Sequence, residues 1–120
     1  MSTTVIAKMN TCGKTNKVTA ELQEDGTIKI DIESDCPNIQ AYNENLVFIT
    51  MDDAIDFNGS KINLPEIRGA MSAPCLTPNA VFDASWVELG MLSKNLIKSV
   101  ERNTLEFEWL IFFIIFFSIF

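Results

Sequence analysis

The sequence predicts an α+β domain: a small antiparallel sheet with an N-terminal hairpin, and two main helices packed on one face. Residues 27–33 place Ile28, Ile30 and Ile32 on one side and Lys29, Asp31 and Glu33 on the other, the period of a half-buried strand. Residues 17–23 alternate in the same way, with Val18, Ala20 and Leu22 on one face. Between the two runs stands Glu24-Asp25-Gly26, a tight-turn sequence because Asp and Gly tolerate positive φ. Beyond Ser34 the apolar spacing lengthens to three and four residues, in two segments that each begin with a proline.

The elements follow in order. Val5, Ala7 and Met9 share one side of a weaker first strand over residues 4–9. Ser34 or Asp35 can cap a helix over residues 36–45, with Pro37 in the first turn, where its missing N–H costs nothing. Ile39, Tyr42 and Leu46 form its apolar stripe. Residues 47–51 read as strand or buried turn, and residues 51–56 as a short helical turn. Asn58-Gly59-Ser60 is loop, and the stretch from Ile62 to Ile67 is irregular and broken by Pro65. Thr77-Pro78 opens a second helix over residues 78–89, carrying Val81, Phe82, Ser85, Trp86 and Leu89, with Gly90 as its C-terminal stop. Residues 95–102 suit strand or helix. Leu105, Phe107 and Trp109 alternate with Glu106 and Glu108 as a strand leading into the tail.

Length and composition bound the function. A chain of 120 residues, 48% apolar and 21% charged, is one globular domain, assigned to residues 1–103 with 104–120 as an appended strand and apolar tail. A net charge of −7 argues against nucleic acid, whose phosphates need clustered Lys and Arg. Lys94, Lys98 and Arg102 fall at a spacing of four and read as a solvated stripe. The N-terminus lacks the basic region and apolar run of a signal peptide. With an odd number of cysteines, three, the chain is expected in the cytoplasm with its thiols reduced.

The C-terminal run Trp109-Leu-Ile-Phe-Phe-Ile-Ile-Phe-Phe-Ser-Ile-Phe120 is apolar except for Ser118. As a helix these residues would reach about 18 Å, against about 30 Å for the hydrocarbon core of a bilayer. Glu106 and Glu108 bar an extension backwards, so a membrane span is the lesser reading. The alternatives are an edge strand or docking tail for a protein partner or a second copy, or translation of T-rich DNA beyond a lost stop codon.

Without histidine there is no Ser-His or Cys-His pair, and no phosphate-binding glycine motif occurs. The carboxylates Asp52, Asp53 and Asp56 lack the spacing and glycine of a calcium loop and read as a solvated face. The three cysteines are the lead. Cys12 precedes Gly13, Cys36 lies in Ser34-Asp35-Cys36-Pro37, and Cys75 lies in Pro74-Cys75-Leu76-Thr77-Pro78. Cys36 and Cys75 stand beside helix N-termini, which attract thiolate. Soft thiolates select zinc, copper(I) or iron–sulfur clusters. A fourth zinc ligand would be Asp35, another chain or water. Spacing alone equally allows ordinary half-buried cysteines packed as small hydrophobes.

The order of these motifs resembles a small family of uncharacterised proteins from methanogenic archaea and other anaerobes, with the pattern Cys-Gly, Ser-x-Cys, then Cys-Pro-Val-Pro. It is more loosely similar to the TSCPD domain. The resemblance implies an α+β domain with neighbouring cysteines that bind metal, and it brings no established activity. Relatives often carry a further Cys or His where this chain has Gly69-Ala70-Met71-Ser72, and they end near Arg102. The expected function is a cytoplasmic accessory protein, not an enzyme, binding zinc or an iron–sulfur cluster through Cys12, Cys36 and Cys75, with Asp35 as a further ligand. A redox or sulfur-relay thiol is a variant. The alternative is a non-catalytic interaction module with inert cysteines, the tail docking to a protein or a membrane.

Overall fold

The computed structural model describes residues 1–108. Four strands form one antiparallel sheet in the order β1-β2-β3-β4: β1 Thr3–Met9, β2 Lys14–Leu22, β3 Ile28–Glu33 and β4 Phe48–Ile49. Helices α1 (Pro37–Leu46), α2 (Met51–Ile55), α3 (Pro65–Arg68), α4 (Thr77–Glu88) and α5 (Lys94–Val100) follow or interleave, with a 3₁₀ turn at Lys61–Asn63. The α+β expectation holds, with α1 on β3 and α4 across β1 and β2.

The pairing register explains why one face is buried. Val5 stands opposite Val18, and Val18 opposite Ile32; Ala20 faces Ile30. These rows point inward and are buried, save Val5, which is partly exposed. Ile6, Lys17, Lys29 and Asp31 point outward. Because side chains alternate with a period of two, a slip of one residue in β3 would turn Ile28, Ile30 and Ile32 to water. The β2–β3 turn closes with Gln23 N–H donating to the Thr27 carbonyl at 2.8 Å, and Gly26 supplies a φ of 88°.

The two main helices cover that face. Ile39, Tyr42 and Leu46 of α1 and Ala80, Val81, Ala84 and Val87 of α4 are buried. Each fully buried Ile, Val or Leu contributes about 1.5–3 kcal/mol. An exposed ion pair contributes about 0–1 kcal/mol, and Arg102–Glu101 at 3.6 Å is the one pair among the described residues. Apolar burial therefore dominates. Hydrogen bonds then lock the outer elements: Tyr42 Oη donates to the Ile62 carbonyl at 2.8 Å, and Trp86 Nε1 donates to that of Ala54 at 2.6 Å. Helix α4 ends in a Schellman motif, Gly90 N–H reaching Val87 O and Met91 N–H reaching Trp86 O.

Four local outcomes differ from the sequence reading or settle it. Leu22, expected on the buried face, is 42% exposed. It is the last residue of β2, where α4 ends, and Glu88 at the close of that helix accepts its backbone N–H at 3.1 Å. Residues 95–102 resolve largely into α5, with Ser93 as cap. The strand expected from Leu105 does not form over residues 105–108, where no strand among the described residues lies alongside to take up its backbone groups; Trp109 and the apolar run lie outside the described residues. The acidic run is not one solvated face. Asp53 closes a capping box with Thr50 and also accepts Lys61 N–H at 3.0 Å.

That last arrangement gives a pH signature. Partial burial pushes the Asp53 carboxyl upward, but hydrogen bonds from Thr50 and Lys61, with the Lys61 charge, outweigh it and hold the group below its usual 3.8. A lowered folded-state value stabilises the fold above the unfolded value and loses that contribution as pH falls through the folded value. Acid titration of stability below about pH 4 should be shallower in Asp53→Asn than in the parent, as chemical denaturation at stepped pH would record.

Ser85 Oγ is buried with no hydrogen-bond partner among the described residues. An unpaired buried hydroxyl costs about 1–3 kcal/mol. Ser85→Ala should therefore raise the urea midpoint, and a lowered midpoint would show that the hydroxyl has a partner.

Candidate functional site

Two of the three cysteine-bearing segments, those of Cys36 and Cys75, are linked through one buried side chain, Asn16. It lies in β2 opposite Ala7, on the inward row that continues through Val18, and is 1% exposed. Its Nδ2 donates to Thr77 Oγ1 at 2.8 Å, and its Oδ1 accepts from Ser34 Oγ. Ser34 Oγ in turn accepts the Cys36 N–H at 3.0 Å, and Thr77 Oγ1 accepts from Cys75 Sγ at 3.3 Å. A chain of polar contacts thus runs from the Cys36 backbone to the Cys75 sulfur.

The Cys12 segment joins through Met9. Cys12 lies in the β1–β2 turn, whose Cys12 and Gly13 N–H groups both donate to the Met9 carbonyl, at 3.3 and 2.7 Å. Gly13 sits at φ 73°, a region that favours glycine. The thioether Sδ of Met9 accepts the Leu76 N–H at 3.3 Å, next to Cys75. The turn that carries Cys12 and the loop that carries Cys75 therefore meet across one methionine.

The cysteines differ in exposure. Cys12 is exposed, while Cys36 and Cys75 are half-buried and pack against the core. Cys36 is the N-cap of α1 and has no side-chain capping bond; Ser34 acts from two residues earlier. Thr77 does not cap α4 as its sequence suggested. Leu76 holds the N-cap position, and the Thr77 hydroxyl is drawn into the Asn16 chain. Asp35 is exposed. Among the described residues, no three Cys, Asp or Glu side chains are grouped so that one ion could be held. Cys12, Cys36, Cys75 and Asp35 are thus connected by scaffold and not assembled into a closed metal cage.

Behind Cys75 lies Tyr42. Burial pushes its phenol well above the usual range; the Arg68 charge offsets this slightly, and charge on Cys75 adds to it. The phenol therefore keeps its proton and its bond to Ile62. Arg68 lines an open depression of about 360 Å³ with Asn63, Pro65, Gly69, Met71 and Ala73.

The family model that matches residues 3–100 is described as a family of unknown function, DUF6951. The chain belongs to that family. No curated protein matches it, and no solved structure does. The match takes in all three cysteines, Asn16 and α5, and stops before the apolar run.

Sequence reasoning places Met9 and Tyr42 only on apolar faces, with no role at the cysteines, and does not name Asn16. For Asn16 a signal existed: Asn16, Val18 and Ala20 share one face, so the asparagine had to be buried among valine and alanine. Asn16→Ala should lower stability by about 1–3 kcal/mol, because it takes the amide partner from the buried Thr77 hydroxyl and the half-buried Ser34 hydroxyl. Urea unfolding measures this, and a loss below about 0.5 kcal/mol would show that the chain is not structural.

Proposed function

We propose that the protein is a cytoplasmic accessory protein that works through thiols at the cysteine end of its sheet. Cys36 and Cys75 are offered to a soft metal ion or iron–sulfur cluster whose remaining ligands come from exposed Cys12, from Asp35, from solvent or from a second chain. The carrying observation is the chain from Cys36 through Ser34, Asn16 and Thr77 to Cys75. Supporting hydrogen bonds of this kind orient ligands and tune their affinity. A small domain that places a fully buried amide between two cysteine segments holds those segments in register with each other. The resemblance to cysteine-motif proteins of anaerobes, and more loosely to TSCPD domains, supports the same reading.

A second reading is a non-catalytic interaction module with inert cysteines. It is favoured by the exposed apolar side chains of residues 47–57: Phe48 at 45%, Met51 at 51%, Ile55 at 53% and Phe57 at 65%. Phe57 stacks on Phe82 at 5.9 Å between ring centroids, so this surface is anchored to α4.

Anaerobic purification followed by metal analysis and a visible spectrum separates the two. The thiol reading expects bound zinc or iron, or a thiolate charge-transfer band, lost when Cys36 and Cys75 are both changed to Ser. Colourless, metal-free protein whose folding survives all three Cys→Ser changes would leave the interaction reading.

A further inference from the structure

The two edges of the sheet are finished differently. Strands run in the order β1-β2-β3-β4, so β1 and β4 are the outer ones. On the β4 side, side chains take up the backbone groups. Asn43 Oδ1 accepts the Ile32 N–H at 2.9 Å, beyond the reach of β4. Lys61 Nζ donates to the Phe48 carbonyl at 3.1 Å and to that of Leu46 at 2.6 Å. Strand β4 is itself only two residues long. A short edge plugged by side chains resists the addition of another strand.

Strand β1 has none of these devices. It is seven residues long, contains no proline, and carries Lys8 as its single charge. The phase of pairing fixes which groups lie along its outer side. Gln23 N–H points to β3, meeting the Thr27 carbonyl at 2.8 Å, and Leu22 N–H points the other way, to Glu88 beside Thr3. Because backbone groups alternate along a strand, Asn16, Val18 and Ala20 of β2 address Ala7, Val5 and Thr3. The N–H and C=O groups of Thr4, Ile6 and Lys8 therefore point away from the sheet, and none of the described residues hydrogen-bonds them. The Ile6 side chain on this open strand is 53% exposed.

A row of outward backbone donors and acceptors is complementary to another extended chain. Self-complementarity selects a second copy. When β1 meets β1 antiparallel about a two-fold axis at Ile6, Ile6 pairs with Ile6 and Thr4 with Lys8 of the second copy, in both directions. Outward groups then meet only outward groups. Lys8 is not set against Lys8, as a parallel, in-register arrangement would set it. On the inward row Val5 falls opposite Ala7 of the second copy, which covers a valine that is only partly buried in one chain. Charge agrees. In a chain of net charge −7, β1 carries no carboxylate, so the contact brings no acidic strand residues together.

We infer that two copies of this chain join edge to edge through β1, about a two-fold axis at Ile6, into one continuous antiparallel sheet with four strands from each copy. This inference does not rest on the cysteine site.

Sedimentation velocity of the full chain at micromolar concentration tests it. The parent should sediment as a dimer. Ile6→Lys and Ile6→Glu each set like charges against each other at the axis, and each should weaken the dimer about tenfold. Circular dichroism should be unchanged, because the Ile6 side chain is exposed. Mixing the two variants should restore a dimer, since opposite charges then meet at the axis. In the parent, amide exchange at Thr4, Ile6 and Lys8 should slow as concentration rises, a readout that needs no variant. A parent that is monomeric at every concentration overturns the inference, as does association unchanged in both variants. Variants that dissociate alone and do not recover on mixing also overturn it, because Ile6 would then lie off the axis. So does protection of β1 that arises only when an extended segment of another protein is added.

Discussion

Asn16 is the constraint on which the functional end of this domain depends. A primary amide fully removed from water must find partners inside the protein, or it costs several kcal/mol. Asn16 finds Thr77 on one side and Ser34 on the other. Those partners each sit two residues from a cysteine, Ser34 from Cys36 and Thr77 from Cys75. Satisfying one buried side chain thereby sets where two cysteine-bearing segments lie, and the choice is specific because few alternative positions would pair all the groups.

The apolar framework makes that arrangement affordable. Ile28, Ile30 and Ile32 of β3, Val18 and Ala20 of β2, and the apolar faces of α1 and α4 supply burial on one side of the sheet. The polar chain sits at the end of this core, where β1 turns into β2 and where α1 and α4 begin. Both helix N-termini and the hairpin turn converge there, so backbone groups and short side chains are available to one another. At the opposite end, Glu88 ties the close of α4 to Thr3 and Leu22.

Much of the fold was legible because alternation is a local property. The strict apolar–charged repeat of β3 and the Asp25-Gly26 turn identify a hairpin without reference to the rest of the chain. Prolines at 37 and 78 and Gly90 likewise mark helix boundaries through backbone geometry alone. Capping was less legible. Ser34 and Thr77 have the right chemistry for a cap, yet Ser34 serves the Cys36 N–H and Thr77 serves Asn16, sixty-one positions away. Hydroxyl groups take whichever partner the tertiary fold brings, and a local reading sees only the near one. Leu22 illustrates the same limit, since its place on the apolar row did not foretell a glutamate from α4 beside it.

The sequence by itself determined the α+β class, the inward faces of the strands, the extents of α1 and α4, and the positions of three cysteines at element ends. These follow from periodicity and backbone preference, which act over a few residues. Only the tertiary structure decided that Asn16 joins the Cys36 and Cys75 segments, that Met9 bridges the Cys12 turn to the Cys75 loop, and that α5 is left outside the core. Those outcomes depend on which distant groups meet when one sheet face is buried. Hydrogen-bond partners and the share of core available to each helix are properties of the packed whole.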